Sequence, residues 1–161
     1  MLHVGHPHRY DRLPPVEKLL TLVFAMVGKD RATWLRLDYE PDPPDDRVRM
    51  WYCVDARPWE MVPPPGHVWQ DLFRLLWRSA RLSPADRGPW WRRWRRVEFP
   101  PGPVFGVLPV RYGDAVVEFD ITFFRGRTGR HVWAERPRPA DVVTVSADFL
   151  RRRLRRPGHS G

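Results

Sequence analysis

Residues 115–124, AVVEFDITFF, alternate with a period of two: Val117, Phe119, Ile121 and Phe123 fall on one side, Glu118, Asp120 and Thr122 on the other. Only an extended backbone sends successive side chains to opposite faces, so this stretch is a strand with one buried face. The run before it, Gly106 to Tyr112 (GVLPVRY), reaches it across Gly113-Asp114, a pair suited to a tight turn. The two runs therefore form a hairpin. Its apolar face needs a second layer to cover it, and the rest of the chain must supply that layer.

Two segments have the right periodicity. Pro14 and Pro15 open a helix, because proline lacks a donor that the first turn cannot use anyway. Val16, Leu19, Leu20, Val23, Phe24 and Val27 follow at spacings of three and four, and Gly28 is a natural stop. A second helix is expected over 67–82, with Val68, Leu72, Leu75, Leu76 and Ala80 on one face. Between them ATWLRLD (32–38) and RVRMWYCV (47–54) are further strands, separated by a proline-rich acidic loop from Tyr39 to Asp46. Asp55-Ala56 turns the chain toward a short third strand at 57–61, and 130–135 adds another after the glycine-containing turn 126–129. The pattern predicts a small single domain of the α+β class, two helices on an antiparallel sheet, over residues 14–137. Residues 1–13 are expected to be a flexible terminus, and 138–161 a basic tail with a short helix from Ser146.

The 161 residues suit one domain, and 42% apolar with 13% aromatic residues is enough for a core. No apolar run approaches the ~20 residues that a membrane-spanning helix requires. The N-terminus lacks a signal-peptide pattern. Cys53 is the single cysteine and cannot form an internal disulfide, which fits a reducing cytoplasm.

Motifs for chemistry are missing. There is no G-x-x-x-x-G-K-[ST] phosphate loop, no G-x-S-x-G elbow and no H-E-x-x-H pair. GRTGR (126–130) lies between two strands and reads as a turn, because no helix N-terminus follows it. His3, His6 and His8 have no carboxylate or cysteine partners nearby, and the acidic loop at Asp42, Asp45 and Asp46 reads as solvated. No catalytic residue, metal site or cofactor is expected.

The charge is unevenly placed. Lys and Arg number 28 against 19 Asp and Glu, a net +9, and all but Lys18 and Lys29 of the positive residues are arginines. Arg92, Arg93, Arg95 and Arg96 form one cluster, and Arg151, Arg152, Arg153, Arg155 and Arg156 another; without those nine the chain is neutral. The first cluster is interleaved with Trp90, Trp91 and Trp94. Aromatic and guanidinium groups together stack on bases and neutralise phosphates, or lie on an anionic membrane surface. The plainer reading is a strand with arginines outward and tryptophans inward, or two solvated arginine faces. These twelve residues are the candidate interaction site, with an acidic protein as one partner class and nucleic acid as the alternative.

Taken in order, the segments resemble the small domain that precedes the nucleotide-binding core in type II secretion and type IV pilus assembly ATPases. RATWLRLDYEP (31–41) is similar to the family's A-S-D-I-H-I-E-P, with Ala32, Leu35, Leu37, Glu40 and Pro41 in comparable places. MWYCVDARPWEMVPPP (50–65) is similar to V-R-Y-R-I-D-G-x-L-x-E-M and its prolines, keeping Tyr52, Asp55, Glu60 and Met61. Residues 106–133 resemble the hairpin that ends D-I-R-V-S-T-x-P and G-E-R-V-V-x-R. The resemblance implies an α+β scaffold, cytoplasmic placement and a secretion or pilus ATPase as partner. In the family, arginines of this domain reach toward nucleotide phosphates. Here the arginine of D-G-R-I falls at Val107 and that of D-I-R-V-S-T at Asp120. Arg130 stands where G-E-R has its glutamate, and the P-Q pair gives way to the Trp/Arg stretch from Trp90. The ATPase core is outside these 161 residues. The expectation is a non-catalytic interaction module that does not hydrolyse ATP by itself.

Overall fold

The computed structural model of the chain describes residues 1–4, 10–42, 46–83 and 99–137. Helix α1 spans Pro15–Lys29 and α2 spans Trp69–Ser79, the latter entered through a 3-10 turn at Gly66–Val68. The strands are β1 (Leu2–Val4), β2 (Trp34–Glu40), β3 (Arg47–Val54), β4 (Arg57–Glu60), β5 (Arg81–Leu82), β6 (Val104–Tyr112), β7 (Ala115–Arg125) and β8 (Arg130–Glu135). They form one sheet in the order β1-β6-β7-β8-β2-β3-β4, with β5 also on β6. The sheet is mixed rather than purely antiparallel, because β1 runs parallel to β6, and it curls into a half-barrel rather than lying flat.

Alternation decides which face is buried. Leu35 and Leu37 of β2, Met50 of β3, Leu108 and Val110 of β6, Phe119, Ile121 and Phe123 of β7, and Val132 and Ala134 of β8 all point to one face. That face meets Leu20, Val23, Phe24 and Val27 of α1 and Leu72, Phe73 and Leu76 of α2. Phe24 meets Phe119 edge-on at 5.5 Å, and Phe73 meets Phe123 at 5.8 Å. Trp69 lies flat on Tyr39, 5.1 Å and 9° apart, and closes the core with Phe99 at 6.2 Å.

Three departures from the sequence reading have physical reasons. Leu2 and Val4 are buried on either side of His3, so the first residues form a strand instead of a flexible terminus. Three residues are too few to show a period. The second helix ends at Ser79 rather than Leu82, because Ala80 is extended and Arg81 and Leu82 pair with Val107 and Gly106. Since β7 occupies one side of β6, β5 and β1 share the other side end to end, β5 on Gly106–Val107 and β1 on Val110–Tyr112. The opposite edge, β4, is four residues long, fully exposed and carries Pro58, a combination that discourages further strand pairing. The acidic loop is also shorter than expected, since β2 continues through Tyr39 and Glu40.

Gly28 does not stop α1, which runs on to Lys29 with Asp30 as its cap. It is instead where the helix meets β6. A Cβ on Gly28 would lie 2.6 Å from the ring of Tyr112, whose hydroxyl donates to the Phe24 carbonyl at 2.9 Å. Burial pushes the Tyr112 phenol up to about 12, against the pull of Arg136. In open space Gly→Ala inside a helix gains up to about 1 kcal/mol. Here the clash reverses the sign, and Gly28→Ala should cost about 1–3 kcal/mol, read as a lower urea midpoint. A raised midpoint would show that Tyr112 moves aside freely.

Candidate functional site

No helix among the described residues lies on the other face of the sheet. In the β2 sequence this face takes the positions between the buried leucines: Trp34, Arg36 and Asp38. Antiparallel pairing sets Trp133 opposite Arg36 on one side and Trp51 opposite it on the other. Trp34 and Trp133 stack at 4.7 Å and 28°, diagonally across the β2–β8 pair. Three half-buried tryptophans thus lie in register beside Arg36 on this face. The indole Nε1 of Trp133 is buried there without an acceptor.

Asp38 anchors Arg36. Arg36 Nε donates to Asp38 Oδ1 at 2.7 Å, and His131 Nδ1, directly opposite on β8, donates to the same oxygen at 2.5 Å. Asp38 and His131 are both buried at 6% exposure. Burial alone would raise the Asp38 carboxyl, but the hydrogen bonds from His131 and Arg36 and their charges outweigh it and hold the carboxyl below its usual range. The other side of the imidazole is closed. Phe124 stacks on the ring at 5.0 Å, and a Cβ on Gly126 would lie 2.5 Å from Nε2. An Asp–His pair orients a base in hydrolases, but here the second ring nitrogen lies against the Gly126 backbone, and among the described residues no nucleophile stands beside it. The pair positions Arg36.

The same face becomes acidic toward β6 and β7. Asp120 of β7 sits directly opposite Glu135 of β8 and beside Glu118, whose carboxylate pairs with Arg81. Burial, then Glu135 and Glu118, raise the Asp120 carboxyl. Val107 is the register partner of Asp120 on its other side. Val107 and Asp120 are therefore neighbours on this face.

Other sequence candidates are placed as follows. Arg130 reaches over the Tyr39 ring at 5.5 Å and the Phe99 ring at 6.0 Å, and so packs the core edge. Cys53 is buried as expected, but on the helix-free face, opposite Trp34. Asp42 pairs with Arg47, and Asp46 accepts from the Tyr39 hydroxyl at 2.7 Å. No group of residues suited to a metal ion occurs among the described residues. Trp90, Trp91, Arg92, Arg93, Trp94, Arg95 and Arg96, with Arg151, Arg152, Arg153, Arg155 and Arg156, lie outside the described residues, as do His6, His8, Asp45 and the expected tail helix. The tryptophan cluster escaped the sequence reading, which had no register for joining β2 to β8. The available signal was a tryptophan at the polar-face position of two amphipathic strands.

No helix of the described residues is long and apolar enough to cross a membrane. No protein-family model and no curated protein matches the chain.

Proposed function

We propose that the chain is a non-catalytic protein-interaction module of the kind found at the N-terminal side of secretion and pilus ATPases, acting in the cytoplasm. It binds its partner through the helix-free sheet face. The observation that carries this reading is the stacked pair Trp34 and Trp133, with Trp51 and the Asp38-anchored Arg36 in register beside them on one exposed face. Tryptophan and arginine dominate the energetics of protein interfaces, because each offers a large desolvating surface with a fixed polar group. Arg36 is held in place before binding, so little side-chain entropy is lost on docking. The partner is a secretion or pilus ATPase, or another protein presenting carboxylates to Arg36. The resembled motif order and the valine and carboxylate at positions 107 and 120 support a scaffold turned from nucleotide to protein binding.

Nucleic acid is the second reading, favoured by the nine clustered arginines and the three tryptophans among them. It predicts an affinity that falls steeply between about 50 and 200 mM salt as counterions are released. Against it, Glu118 and Asp120 on the helix-free face would repel a phosphate backbone. The immobilised full chain should retain a secretion- or pilus-ATPase component from native lysate after nuclease treatment, and Trp133→Ala should lose it. Retention of nucleic acid alone, with a steep salt slope, would replace this reading by the second.

A further inference from the structure

The inward row of β8 ends in a charge. Val132 and Ala134 point into the core, 0% and 2% exposed, and the next inward position is Arg136. The β7–β8 register, carried one residue past Asp120 and Glu135, sets Arg136 opposite Phe119. Its backbone N–H donates to the Thr33 carbonyl at 2.8 Å, one further rung toward β2. The guanidinium therefore lies on the helix side of the sheet. Its Cζ is 5.9 Å from the centroid of the Phe119 ring, which is itself 0% exposed.

No counter-charge meets it there. No ion pair among the described residues reaches Arg136, and its Nε is buried without an acceptor. The polar groups at this end of the core are engaged with one another. Tyr112, close enough for Arg136 to oppose the rise of its phenol, gives its proton to the Phe24 carbonyl. Met26, Val27 and Gly28, at the end of α1, accept from Asp30, Ala32 and Arg31. Strand alternation turns Glu135 to the opposite face. A lysine or a carboxylate so placed can neutralise itself by titrating, whereas a guanidinium stays charged. Drawing it out of water without an anion is destabilising, so the fold holds a cation whose partner it does not itself supply.

We propose that Arg136 is a binding site for a carboxylate, brought by a small ligand in solution or by an Asp or Glu side chain of a partner. One guanidinium balances one carboxylate, and its planar fork matches the two oxygens. With Nε covered, the two Nη groups are the edge that the oxygens meet. The Phe119 ring backs the guanidinium and keeps water from that side, which strengthens the pair. The site is on the helix side of the sheet, away from Trp34 and Trp133, and does not depend on the partner proposed for that face.

The test follows the Nε–H resonance of Arg136 in the full chain, identified by its absence from Arg136→Gln. Titration with sodium acetate at constant ionic strength should move this resonance along a saturable curve, and sodium chloride should leave it in place. Acetate should raise the urea midpoint of the wild type but not that of Arg136→Gln. In chloride the variant should unfold at the same urea concentration or a higher one, because it lacks the uncompensated charge. Arg136→Lys keeps the charge without the fork and should lose most of the acetate response, which carries the test if Arg136→Gln does not fold. A glutamate tripeptide blocked at both ends separates the sources: a shift like that of acetate assigns a partner side chain, and a response to acetate alone assigns a small ligand. An unmoved resonance, an equal shift with chloride, or an equal acetate effect on Arg136→Gln would overturn the proposal. So would a lower midpoint for Arg136→Gln in chloride, which would make the guanidinium a structural group that is already satisfied.

Discussion

Trp69→Ala should lower stability by about 3–5 kcal/mol, the range for removing a buried aromatic side chain. Trp69 is 1% exposed and holds together Tyr39 of β2, Phe73 of α2 and Phe99, at centroid distances of 5.1, 6.4 and 6.2 Å. Alanine would leave a cavity where helix, sheet and the incoming chain at residue 99 converge. Domains have only about 5–15 kcal/mol in total, so a fall of about 10 °C or more in the thermal midpoint is expected. Trp69→Phe should behave differently. Its Nε1 is buried without an acceptor, and an unpaired buried donor costs about 1–3 kcal/mol. Phenylalanine loses packing area but also removes that donor, so the net change should stay below about 1.5 kcal/mol. Equal damage from both substitutions would mean that the indole N–H has a partner in solution.

The second large effect belongs to Asp38. Asp38→Ala leaves His131 buried without its acceptor and Arg36 without its anchor. Because Arg36 is 39% exposed and can turn to water, the cost should be about 2–3 kcal/mol, below that of breaking a fully buried pair. Asp38→Asn keeps an acceptor and should lose less. The pH dependence has a definite sign. The folded carboxyl lies below its usual range, so its contribution is complete above about pH 4, the unfolded value, and fades as pH falls through the folded one. Urea unfolding of wild type and Asp38→Asn should therefore differ most at neutral pH and converge in acid. A gap that widens in acid would mean the carboxyl is raised, not lowered, by the fold.

Much of the scaffold was legible because its signals are local. The alternation in AVVEFDITFF and the three-and-four spacing in α1 each report one buried face, and the Asp55-Ala56 turn is borne out by positive φ at both residues, 49° and 62°. Short and non-local features were not legible. Leu2–Val4 is a strand because Val110–Tyr112 offers an edge more than a hundred residues away. Gly28 reads as a helix stop until Tyr112 is placed against it. The tryptophan cluster depends on pairing Arg36 with Trp133, and the Asp38–His131 contact spans 93 positions. Composition drew the sequence reading to residues 90–96 and 151–156, where charge is densest. Those residues lie outside the described ones, whereas the tryptophan cluster is built from alternate positions of β2 and single positions of β3 and β8.

The central claim is that the helix-free face, rather than the outer side of α1, meets the partner. Leu22 and Met26 make the outer side of α1 a fair control, being 51% and 42% exposed and one helical turn apart. Titration of the protein retained from lysate with purified full-length variants decides between the two surfaces, provided each variant keeps the wild-type circular dichroism. Trp133→Ala and Arg36→Ala should each weaken binding by about 30-fold, the effect of an interface hot spot of about 2 kcal/mol, while Leu22→Ala leaves it within about twofold. Unchanged affinity for Trp133→Ala together with a large loss for Leu22→Ala would contradict the account and move the interface to the helix.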